Sequence, residues 1–103
     1  MYSIVFVTVK DQSEAKKIAD TIVAEKLAAC VNMIEKVKSV FWWQEKIQYE
    51  EEILLIMKTK NTLMNKLIER VKSLHSYTIP EIVSIPIEEG NLDYLKWIND
   101  SVI

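Results

Sequence analysis

"CVNMIEKVKSVFWWQEKIQYEEEILLIMK", residues 30–58, decides how this chain is built. Read as two strands around a turn near Gln44-Glu45-Lys46, it forms a hairpin with arms of about a dozen residues, each spanning roughly 40 Å at about 3.3 Å per residue. A compact body of 103 residues has a radius of gyration near ~13 Å, hence a diameter of about 33 Å. The arms outrun the body that would cover them. Three consecutive aromatics, Phe41-Trp42-Trp43, sit close to the tip. Adjacent strand side chains point to opposite faces, so Trp42 and Trp43 cannot both enter one core. The tip therefore calls for cover from another copy of the chain.

Working outward, strands and helices alternate. Tyr2 to Val9 is a β-branched and aromatic run that reads as a strand. Asp11 followed by Glu14 is an N-cap signal of the capping-box kind. The helix it opens runs to about Lys26, with Ala15, Ile18, Ala19, Ile22 and Val23 on one apolar stripe. After the hairpin, Asn61 or Thr62 caps a second helix striped by Leu63, Leu67, Ile68, Val71 and Leu74. "IVSIPI" (82–87), bracketed by Pro80 and Pro86, reads as an edge strand, because proline cannot donate to a central ladder. Gly90-Asn91 turns into a last short helix carrying Leu92, Leu95, Ile98 and Val102.

The order β-α-β-β-α-β plus a terminal helix is an α+β, ferredoxin-like split βαβ arrangement in one domain, residues 1–103. Both helices would cover one face of an antiparallel sheet, leaving the other face and the overhanging hairpin bare in a monomer. Bare sheet of that size leads to aggregation or to assembly, and a closed ring is the ordinary outcome.

Composition narrows the function. Half the residues are hydrophobic, which excludes a disordered chain. A net charge of −2 with interspersed signs advertises no nucleic-acid surface. No uncharged stretch approaches a membrane span, and "MYSIVFVTVK" is too short for a signal peptide. A single cysteine, Cys30, fits a reducing compartment, so the expectation is a cytoplasmic protein. Gly90 is the only glycine, which rules out Gly-rich phosphate loops. No matched nucleophile and base stand out, and the sole arginine, Arg70, lies mid-helix, so no enzyme is expected.

Several blocks carry a family likeness. "LAACVN" (27–32), then Ser39, Phe41 and Trp43, then Glu52 and Lys58-Thr59, then "LIERVKSLHSYTIPEIVSIPIEEGNLDYLKW" (67–97) resemble the CutA family of divalent-cation tolerance proteins. The likeness runs through essentially the whole chain in order. It implies a ferredoxin-like homotrimer with hairpin arms bridging subunits, divalent metal binding (copper in particular) and a role in metal tolerance. In mammals the family is linked to anchoring of acetylcholinesterase, so a further protein partner is a second expectation. Three departures stand out. Glu35-Lys36 replaces the usual Pro-Gly, so the strand runs more regularly there or kinks by another route. Glu45 replaces a tip glycine and tolerates positive φ poorly, so this tip turns differently or under strain. His75-Ser76-Tyr77 replaces His-Pro-Tyr.

The metal chemistry available is thin. Copper favours imidazole and thiolate, and this chain offers one of each, His75 and Cys30. A closed Cys/His site needs about four ligands. Any such site must then be shared between subunits, lie on a ring axis, or be completed by carboxylates such as Glu50, Glu51 and Glu52; the Met1 amino group is a further candidate. The resemblance makes Cys30 and His75 the metal candidates. Their plain alternatives are a small buried strand residue for Cys30 and a helix C-terminal residue for His75. Trp43, Glu52, Lys58, Tyr77 and Trp97 are expected to line an intersubunit pocket, and Phe41, Trp42 and Trp43 the trimer interface. The other reading of the five pocket residues is interface packing with no ligand, and that of the three tip aromatics is packing on their own domain.

Overall fold

A computed structural model describes residues 1–103. Four strands, β1 (Tyr2–Val9), β2 (Cys30–Trp43), β3 (Lys46–Lys60) and β4 (Ile82–Pro86), form one antiparallel sheet in the order β2-β3-β1-β4. Helices α1 (Gln12–Ala24) and α2 (Met64–Leu74) are the two crossovers, and α3 (Leu92–Ser101) follows β4. This is the expected ferredoxin-like arrangement. Val5, Val7, Val9, Leu55 and Met57 alternate onto the helix side and meet Ile18, Ile22, Leu67 and Val71 in a fully buried core. A smaller cluster of Ala29, Leu63, Ile98 and Val102 seats α3 at one end of the sheet. Leu92, placed on that stripe by its spacing, instead lies exposed in the first turn.

Local chemistry sets the helix ends. Asp11 caps α1 by accepting from the Glu14 N–H at 2.9 Å. The helix stops at Ala24, two residues short of the sequence expectation, because Lys26 turns left-handed at φ 59°. Lys26 N–H donates to the Val23 carbonyl and Leu27 N–H to the Ile22 carbonyl, both at 3.0 Å. That is a Schellman closure with lysine where glycine usually sits. Neither Asn61 nor Thr62 caps α2 through its side chain; both lie in a 3-10 turn, Asn61–Leu63, that leads into the helix.

The hairpin projects as expected. The molecule measures 44 × 25 × 23 Å, with a radius of gyration of 14.1 Å. β1 leaves β3 at the Val9–Ile53 pair, so Val37–Trp43 and Lys46–Glu52 continue alone as a two-stranded ribbon about 23 Å long. A lone two-stranded ribbon is marginally stable in water. Its tip is a two-residue turn with Gln44 at φ 51° and Glu45 at φ 62°, the left-handed pair of a type I′ turn. Glu45 thus takes up the glycine-like conformation under strain. Glu35-Lys36 does not straighten β2 either. The ladder passes from Ile34–Leu54 to Val37–Glu52, so two residues oppose Ile53 in a bulge, with Lys36 left-handed at φ 62°.

The bulge reverses which β2 side chains share a face with β3. Before it, Cys30, Asn32 and Ile34 lie beside Lys58, Ile56 and Leu54 on the helix-free face. After it, Val37, Ser39, Phe41 and Trp43 lie beside Glu52, Glu50, Gln48 and Lys46 on the continuation of that face. Trp42 and Val40 go to the opposite side with Ile47 and Tyr49.

Candidate functional site

Two polar clusters and the ribbon account for every predicted site residue. The first cluster surrounds the loop after α2. The His75 side chain is fully buried. Its Nε2 lies 2.7 Å from the Thr8 carbonyl, to which it donates, and its Nδ1 accepts the Tyr77 N–H at 3.1 Å. Both ring nitrogens are therefore committed, and no imidazole lone pair faces outward in this conformation. Glu14 stands 3.9 Å from Nδ1 and accepts from the Ser76 N–H at 2.5 Å and the Ser76 hydroxyl at 3.1 Å. The Tyr77 hydroxyl donates to the Glu52 carboxylate at 2.7 Å. Burial raises the Tyr77 hydroxyl well above its ordinary range, and the hydrogen bond to Glu52 and the charges of Glu52, Glu14 and Glu50 add to that. The proton stays on the phenol, which donates to a Glu52 side chain only 5% exposed. Of the three consecutive glutamates, Glu52 is the one that faces a packed layer, while Glu50 and Glu51 are exposed.

The second cluster lies at the other end of the sheet. Cys30 is half-buried, with Sγ 3.7 Å from the Tyr94 hydroxyl. Tyr94 packs against Trp97 with ring centroids 5.4 Å apart. Burial raises the Tyr94 hydroxyl, with a further contribution from the Cys30 contact. Lys58 is the direct cross-strand neighbour of Cys30 and donates to the Asn32 side-chain oxygen. The Met1 ammonium donates to the Asn61 side-chain oxygen at 2.7 Å, at the opposite end of β1 from His75.

The structure thus joins Glu52 to Tyr77, and Cys30 to Lys58, but keeps the two groups apart. Lys58 pairs with Ile4, whereas His75 holds Thr8, about 13 Å further along β1. Cys30 and His75 do not meet within one chain. No group of three His, Cys, Asp or Glu side chains is placed to hold a metal ion, so the donors of a single chain do not fit a closed copper site. Trp43 stands at the ribbon tip, about 20 Å along β3 from Glu52 and twice that from Lys58. The five expected pocket residues can meet only if more than one copy supplies them.

Sequence reasoning missed Glu14, Asn32 and Tyr94. Glu14 carried a signal: it falls in step with Ile18 and Ile22 on the buried face of α1. Asn32 and Tyr94 carried none, because their contacts span 26 and 64 residues of sequence. Arg70 forks onto Glu25 at 2.8 Å. No helix is long and apolar enough to cross a membrane.

Comparison with known proteins agrees with this geometry. The family model described as "CutA1 divalent ion tolerance protein" matches residues 3–101. A chloroplastic CutA 1 protein of Oryza sativa subsp. japonica is 46% identical over 98 residues, which is 95% of this chain; the chain spans 55% of that relative's length. The solved divalent cation tolerance protein (Cut A1) of Thermus thermophilus superposes with a TM-score of 0.97 at 44% identity, covering 99% of both chains. A structure described as the periplasmic divalent cation tolerance protein CutA of Archaeoglobus fulgidus gives 0.97 at 40% identity, covering all of both. With a family match from residue 3 to residue 101 and a solved relative that superposes over 99% of the chain, this chain belongs to the CutA1 divalent ion tolerance family.

Proposed function

We propose that this protein acts as a homotrimer that binds divalent cations, copper among them, and serves tolerance to those ions without catalysing a reaction. The observation that carries the reading is the ribbon. Trp42, Tyr49 and Val40 are 73%, 74% and 63% exposed, and Phe41 and Trp43 are half-exposed on its other side. A strand pair apolar on both sides is stable only when other copies cover it. Burying a large side chain contributes about 1.5–3 kcal/mol, so three such tips are enough to hold a ring. Metal binding follows from the relatives' names and from Cys30, the one thiol, which sits half-buried beside Tyr94. Copper then binds with low affinity at shared positions, with ligands from more than one subunit. A single unpaired thiol is consistent with a cytoplasmic setting.

A second reading is favoured by a specific observation. With no three-ligand group in one chain, the protein is alternatively a trimeric platform for another protein, and metal binding is incidental. Native mass spectrometry of the reduced protein during a copper(II) titration separates the two. Three copies taking up a defined number of ions, lost on Cys30→Ser with the trimer intact, supports metal binding. A trimer with graded, unsaturating uptake supports the platform. A monomer contradicts both.

A further inference from the structure

We propose that the ring is closed head to tail by an ion pair between Lys58 of one copy and Glu50 of the next, which rests on the homotrimer reading above. The two residues are complementary loose ends on one strand. On the helix-free face β3 carries two acids, Glu50 and Glu52, in its ribbon half, with Lys46 at the tip beyond them, and two bases, Lys58 and Lys60, toward α2, with Leu54 and Ile56 between. Lys58 lies between Ile4 and Cys30 in the ladder, inside the apolar helix-free face rather than at its margin. Its only partner is the neutral side-chain oxygen of Asn32; no carboxylate lies within ion-pair distance. Any copy that covers this face takes Lys58 out of water, and a desolvated ammonium needs an anion.

The surface available to supply that anion is the part of a neighbour that overhangs its own body. On the ribbon's side continuous with the helix-free face, the residues are Val37, Ser39, Phe41, Trp43, Lys46, Gln48, Glu50 and Glu52. Two are acids, and Glu52 is buried beneath Tyr77. Glu50 is exposed, and its carboxylate makes no ion pair within its own chain. It is therefore the free carboxylate on the surface that brings Phe41 and Trp43 to the neighbour. Because the free carboxylate is on the overhang and Lys58 on the body, the contact is heterologous, and it closes into a ring of three under the homotrimer reading. Charge of this kind fixes the orientation in which apolar surfaces meet and excludes wrong partners.

The test is charge reversal with rescue, read as mass by native mass spectrometry and sedimentation equilibrium on the full chain. Lys58→Glu and Glu50→Lys are each expected to shift the protein from three copies to one at concentrations where the parent is fully assembled. The double reversal is expected to restore three copies. Glu50→Lys sits on exposed ribbon and removes no contact within the chain, so it reads assembly even where Lys58→Glu fails to fold. A trimeric parent whose Glu50→Lys form stays equally trimeric on dilution overturns the pairing, as does a double reversal that remains monomeric while both singles fold. A monomeric parent overturns the homotrimer reading itself.

Discussion

β3 is two strands in one. From Ile53 to Thr59, alternate residues are sealed: Leu55, Met57 and Thr59 are fully buried. From Lys46 to Glu51, Ile47 and Tyr49 lie open to water, although they suit a strand core as well as the others. Hydrophobic type does not distinguish the halves; neighbours do. The inner half has β1 on its flank and α1 and α2 above it, whereas the outer half has only β2. The inner half therefore specifies a fold, whereas the outer half has no cover within its own chain, which is the surface the proposed trimer would bury.

The largest effect expected from breaking that contrast is in the inner half. Leu55→Ala should cost about 2–5 kcal/mol in urea unfolding, since it empties a fully packed site. Tyr49→Ala, a few residues outward, should leave the unfolding of dilute, dissociated protein within about 0.5 kcal/mol of the parent, while lowering the concentration dependence of Tm. Equal losses at both positions in dissociated protein would erase the distinction.

At the junction of the halves, Tyr77→Phe should cost about 1–3 kcal/mol by leaving buried Glu52 without its donor. The raised Tyr77 hydroxyl also fixes the sign of a pH effect. Its contribution is complete below the unfolded tyrosine value near ~10 and is lost as pH rises above it, because unfolding then releases a proton. Chemical denaturation from pH 8 to 11 should therefore fall less steeply for Tyr77→Phe than for the parent; parallel curves would contradict the buried phenol.

The smallest effects lie in the backbone. Lys36→Gly and Glu45→Gly each relieve a left-handed residue and should raise stability by about 1 kcal/mol or less, after the unfolded-state entropy of glycine is subtracted. Thermal melts at fixed protein concentration check this. A loss at Lys36→Gly would mean that its side chain contributes more than its strain removes.

Much of the fold was legible because it is local. The strand of Tyr2–Val9, the stripe of Ile18 and Ile22, the Asp11 cap and the overlong hairpin all follow from spacing of two or of three to four, and from length. The ends of α1 and α2 were less legible, since Lys26 adopts a glycine conformation and Asn61 turns its side chain to the N-terminus. The bulge at Glu35-Lys36 was hidden for the same reason: no glycine or proline marks it. The one glycine, Gly90, needs no positive φ, so glycine was a poor guide to strain in this chain. The site was only half legible. Residue type singled out Cys30 and His75, but whether an imidazole is free depends on a carbonyl sixty-seven residues away in the sequence. The Glu52–Tyr77 bond likewise joins segments that only the fold brings together.

Amide hydrogen exchange of the ribbon against the body, at high and at low protein concentration, tests the central claim most directly. At high concentration, amides of residues 40–43 and 47–49 should exchange as slowly as those of 55–57, and on dilution they should speed up while the body stays protected. A ribbon that exchanges near the unprotected rate at every concentration, beside a slowly exchanging body, would contradict the account.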